Sequence, residues 1–80
     1  MEAAEVQALL KNHIPDSESQ VQVDGSHVHV VVISAQFEEL NTLKKQQLVY
    51  GALNQAIADG RIHAVHMKTF TPAEWQQAQS

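Results

Sequence analysis

The fold this sequence predicts is an α+β domain: a three-stranded mixed sheet with helices packed on one face. Three observations predict it. Asp24-Gly25 lies between alternating apolar residues, the mark of a tight antiparallel hairpin. Apolar residues recur at helical spacing before the hairpin and again after it. A further strand-like stretch, residues 62–70, follows the second helical stretch, so it can reach the sheet by a crossover. The order is helix, strand, strand, helix, strand, helix, read as a single domain over residues 1–80.

Ala3, Val6, Leu9, Leu10 and Ile14 give residues 2–13 the apolar stripe of an amphipathic helix. Pro15 stops it, because the residue before a proline avoids the α region. Asp16 to Ser19 form a polar loop. If Asp24-Gly25 is the two-residue turn of a type I′ hairpin, Val23 pairs with Ser26 and Val21 with Val28. Val21, Val23, Val28, Val30 and Val32 then share one face, and His27 and His29 point to the other with Val31 and Ile33. Ala35–Leu40 connects, anchored by Phe37. Asn41 caps a long helix through Ala58, whose stripe is Val49, Ala52, Leu53, Ala56 and Ile57. Asp59-Gly60 closes it, with Gly60 suited to the left-handed position after a helix. Thr71-Pro72-Ala73-Glu74 has a capping-box pattern and opens a short helix carrying Trp75.

Composition narrows the function. The chain has 80 residues, no Cys and five His; five Lys and Arg against nine Asp and Glu give a net charge of −4. A chain of this size buries only about 60% of the surface it exposes when unfolded, which disfavours a hollowed enzyme-style cavity. Without Cys there is no disulfide and no zinc–thiolate staple, so any metal must be held by His or carboxylate. No Gly-x-Ser-x-Gly elbow and no glycine-rich phosphate loop is present, and an autonomous enzyme is not expected. The acidic N-terminus lacks the basic-then-apolar pattern of a secretory signal, and the longest apolar run, Val30–Ile33, is far short of a membrane span. A cytoplasmic protein with no membrane partner is expected.

The histidines are the residues with chemistry. His27 and His29 stand two apart on one strand face, where two imidazoles can converge on a metal or be ordinary half-exposed residues. His63 sits at the entrance of the third strand. His66 lies three positions on, so in a regular strand the two point to opposite faces. His13 lies at the end of the first helix, where an imidazolium is favoured by the helix dipole. Among the cations, Lys44 and Lys45 occupy the first turns of the long helix, unfavourable ground for positive charge, which suggests an anionic partner or plain solvation.

Asp24-Gly25-Ser26-His27-Val28-His29-Val30, Leu43-Lys44-Lys45-Gln46-Gln47-Leu48-Val49-Tyr50, and Arg61-Ile62-His63-Ala64-Val65 through Thr71-Pro72-Ala73-Glu74-Trp75 resemble the BolA family, and the Lys-Lys-Gln-Gln run its bacterial IbaG subgroup. The resemblance covers about residues 3–76. It implies an αββαβα fold related to class II KH domains. It also implies a monothiol (CGFS-type) glutaredoxin as heterodimer partner, with a bridging [2Fe–2S] cluster shared between that glutaredoxin, glutathione and this chain. The family's C-terminal cluster-ligating His matches His63. The second ligand comes from the region of the hairpin, where His27 is the match and His29 the reserve; longer relatives place it in an extended loop that this chain lacks. Alone, the chain is expected to be a monomer or weak homodimer that holds no cluster tightly.

The family also includes a transcriptional regulator, so DNA binding is the alternative, through Lys44, Lys45, Arg61 and Lys68. The negative net charge and the lack of a Gly-x-x-Gly clamp weaken it. Phe37-Glu38-Glu39 also departs from the Phe-x-Gly of relatives and places an acidic pair where an anion would bind.

Overall fold

The central strand explains the architecture. In the computed structural model, which describes residues 1–79, helix α1 (Ala3–His13) is followed by strands β1 (Glu18–Asp24) and β2 (His27–Ile33). A 3₁₀ turn (Ala35–Glu39) leads to helix α2 (Thr42–Ala58), strand β3 (Ala64–Phe70) and helix α3 (Pro72–Gln79). β2 lies between the others, antiparallel to β1 and parallel to β3. The mixed sheet expected from the element order is therefore present. Among the described residues, no helix is long and apolar enough to cross a membrane.

The alternation of β2 divides its residues between two environments. Val28, Val30 and Val32 are buried and join Val6, Leu10 and Ile14 from the α1 region with Val49, Leu53 and Ala56 of α2. α1 and α2 cover this face and lie close together where they meet. His13 of α1 approaches Gly51 so nearly that a Cβ at Gly51 would stand 2.7 Å from its Nε2. Phe37, fully buried, plugs the core from the 3₁₀ turn. That turn is held by the Ser34 hydroxyl, which accepts from Gln36 N–H and donates to Asp16. On the outer edge of β1, α1 side chains occupy backbone acceptors: Gln7 Nε2 donates to the Ser19 carbonyl and Lys11 Nζ to that of Ser17.

Local signals mark the helix ends. The Asn41 side chain accepts from Lys44 N–H at the start of α2. Gly60 takes φ +84° just past its end, and the N–H groups of Arg61 and Ile62 return to the Ala56 carbonyl. The capping box of α3 forms in both directions: Thr71 N–H donates to Glu74 Oε1, and Glu74 N–H donates to the Thr71 hydroxyl.

Three expectations need correction. The hairpin pairs Asp24 with His27, Val23 with Val28 and Val21 with Val30, two positions away from the expected register. The turn is Gly25-Ser26. Gly25 has φ +60° and no described non-glycine residue has positive φ, which fits type II′ and spares Asp24 the left-handed conformation that type I′ demands. A slip of two keeps every side chain on its face, so the expected face assignment survives. β3 begins at Ala64 rather than at residue 62, because Arg61 and Ile62 are used to close α2. Finally, α3 does not join the other helices. Trp75 packs on Phe70, with ring centres 5.3 Å apart; Phe70 pairs with Ile33, on the face opposite Val28, Val30 and Val32. The last helix thus covers one end of the otherwise open face.

Two stability measurements test this description. Phe37→Ala should cost about 3–5 kcal/mol in denaturant unfolding, a large share of the roughly 5–15 kcal/mol available to a small domain; a loss under about 1 kcal/mol would show that the 3₁₀ turn is not part of the core. The second concerns Glu74, whose carboxyl is held below the ordinary glutamate range, chiefly by Thr71 N–H, with the charge of Lys45 adding to the effect. A depressed folded value means that the cap stabilises α3 above the unfolded pKa and is lost as pH falls through the lowered value. Trp75 emission should therefore shift to the red on acidification in the wild type, and the step should be missing in Glu74→Gln. Identical profiles would show that the carboxylate does not hold the helix.

Candidate metal-binding face

The face of the sheet turned away from α1 and α2 is laid out in rows by the strand registers. Asp24, His27 and Ala64 form one row, and Gln22, His29 and His66 the next. Gln20, Val31 and Lys68 follow, then Glu18, Ile33 and Phe70, where Trp75 covers the end. The first three rows are largely open. A shallow depression of about 510 Å³ runs along the second and third of these rows, with Gln22, His29, Val31, His66 and Lys68 among its walls.

Three imidazoles meet here. His66 stacks on His29 with ring centres 4.5 Å apart and planes 12° from parallel, and on His27 at 5.7 Å and 18°. All three are exposed, and among the described residues none has a side-chain hydrogen bond. His66 is the member that sequence reasoning did not group with the others. Its signal is parity: on β3, Ala64, His66, Lys68 and Phe70 alternate onto one face. Placing that face with His27 and His29 requires the parallel register of β2 with β3, a long-range fact.

His63 stands just outside β3, exposed, at the same end of the sheet as His27. Its N–H donates to the Ser26 carbonyl at 2.9 Å, and Ala64 N–H shares that acceptor at 3.4 Å. This bond seats the chain leaving α2 against the residue before His27. His63 has no ring contact with the stack among the described residues, so the structure brings His63 and His27 to one rim without joining their side chains.

The four cations are spread out. Lys44 and Lys45 open α2, whereas Arg61 follows its end, roughly 25 Å away at 1.5 Å per residue. Lys68 projects from the sheet face opposite α2. Arg61 Nε is bound to both carboxylate oxygens of Asp59, at 3.0 and 2.9 Å. That bond lowers the Asp59 pKa and raises that of Arg61. An ion pair this exposed adds little stability, but it occupies Arg61. Glu38 and Glu39 are exposed on the 3₁₀ turn.

Residues 2–74 match the family described as BolA-like protein. The chain is 48% identical over 75 residues to the acid stress protein IbaG of Escherichia coli K12, covering 94% of this chain and 89% of that one. It is 33% identical over 78 residues to a protein of Acinetobacter guillouiae known from the rpoN–murA intergenic region, covering 98% and 94%. Among solved structures it superposes on a BolA homologue from Coxiella burnetii with a TM-score of 0.82 at 28% identity, over 95% of this chain and 97% of that one. BolA1 from Arabidopsis thaliana gives 0.78 at 26%, over 92% and 98%. With element order, fold and sequence in agreement along nearly its whole length, the chain belongs to the BolA family.

Proposed function

We propose that this chain is a non-enzymatic adaptor that pairs with a monothiol glutaredoxin of the CGFS type and carries, as shared cargo, a bridging [2Fe–2S] cluster in iron–sulfur trafficking and stress response. One observation carries the reading. The Ser26 carbonyl ties His63 to the start of β2, so one exposed rim offers the imidazoles of His63 and His27. The donor set suits a shared cluster. Two imidazoles and no thiol are too few to hold one alone, so sulfur ligands must come from a partner: the glutaredoxin cysteine and glutathione. Imidazole in place of thiolate lessens the negative charge around the cluster, the change that raises the potential of Rieske centres. The stress role follows the name of the E. coli relative.

The test is co-purification with a CGFS-type glutaredoxin and glutathione, followed by visible absorption and circular dichroism. The wild type should give a mixed-complex cluster spectrum, and His63→Ala should abolish it. An unchanged spectrum in His63→Ala overturns the ligand assignment. Loss with His29→Ala but not with His27→Ala moves only the second ligand.

This reading gives the cations no shared nucleic-acid role. Only Lys44 and Lys45 stand together, so any binding to duplex DNA should show a log–log salt slope no steeper than about −2, at roughly 0.9 per neutralised phosphate. A slope near −4, softened by Lys68→Ala as well as by Lys44→Ala, would show the four acting as one surface and would favour a DNA-binding regulator.

A further inference from the structure

The geometry points to a second metal site that shares only His27 with the cluster rim: His29 and His66, with His27 as third ligand, hold one divalent zinc-class ion on the open sheet face. This inference does not rest on the glutaredoxin reading. It begins with the pairing of His29 and His66 across adjacent strands, where both side chains leave the same face. His27 joins them from two positions earlier on β2. Three neutral nitrogen donors and an open fourth position form a familiar zinc arrangement, and imidazole suits Zn²⁺, Ni²⁺ and Cu²⁺. Two imidazoles on one tetrahedral ion, each with Zn–N of about 2.0–2.1 Å, have ring centres roughly 5 Å apart. The observed separations from His66, 4.5 Å and 5.7 Å, bracket that value.

The rings lie face to face. Among the described residues no three His, Asp or Glu stand as a ready metal-holding group in this arrangement. Convergence requires only that the rings turn about their side-chain bonds. The turn gives up the ring stacking but, among the described residues, breaks no side-chain hydrogen bond, and all three rings are exposed. The neighbouring strand supplies outer support: Asp24 pairs with His27, and Gln22 with His29. A carboxylate and an amide at those positions can accept the second ring N–H of a ligating imidazole, the usual way such ligands are oriented. Lys68 is the cation on the same face, one row beyond His66. His27 is common to both sites, so zinc and cluster compete for one ring, whereas His29 and His66 serve zinc alone.

The experiment is a Zn²⁺ titration of the purified full chain by chelator competition, with Co²⁺ absorption as the coordination readout. The wild type should take up one ion per chain and give the visible bands of tetrahedral Co²⁺. His66→Ala and His29→Ala should each weaken binding by about tenfold or more. His13→Ala and His63→Ala should leave it unchanged, and His66→Ala should leave the glutaredoxin-complex cluster spectrum intact. Far-UV circular dichroism should be the same for all variants, since the replaced side chains are exposed. The site is overturned if the wild type binds no stoichiometric Zn²⁺, if binding survives both His29→Ala and His66→Ala, or if it is lost with His63→Ala. None of those outcomes touches the cluster reading, which fails only on its own spectrum.

Discussion

The pleat of β2 is the constraint on which the rest depends. With a neighbour on each side, its seven residues are fixed in register twice, once antiparallel and once parallel. Alternate positions must then face opposite ways. Val28, Val30 and Val32 go to the helices and become the middle of the core. His27 and His29 have no choice but the other side. The same geometric rule builds the hydrophobic centre and delivers the imidazoles proposed as metal ligands, so a slip of one residue would bury imidazoles and expose valines. Few small domains have stability to spare for such an exchange.

The chemistry follows from what this face lacks. Without thiols, the chain offers imidazole nitrogen, a donor that is neutral when it ligates and leaves charge compensation to others. Its five cations do not gather into a field: two sit at one end of α2, one is held by Asp59 beyond the other end, one lies across the sheet, and Lys11 on α1 donates to the Ser17 carbonyl. Cations so dispersed suit a polyphosphate backbone poorly.

Much of this was legible in the sequence because the signals are local. Asn41, Gly60 and the Thr71–Glu74 pair act within three or four residues, and each does in the structure what its type predicts. The hairpin register was less accessible, since Asp24-Gly25 and Gly25-Ser26 are both plausible turn pairs; the outcome depends on which keeps positive φ on glycine alone. His66 was missed for a different reason. Its membership in the histidine group depends on how a strand at residues 64–70 aligns with one at 27–33, and nothing within either stretch states that alignment. The position of α3 is likewise a matter of tertiary contact: a tryptophan seeks apolar cover, and Phe70 offers it on the far face.

One feature of α1 reaches beyond the core. Any outermost strand is a template on which foreign strands can grow, because its outward carbonyls and amides still want partners. Here Gln7 already satisfies one of those carbonyls, at Ser19, and Lys11 that of Ser17, the residue just before the strand. The first helix thus works in two directions, closing the interior with its apolar side and finishing the border of the sheet with its polar one. The β1 border is thereby left less open to foreign strands.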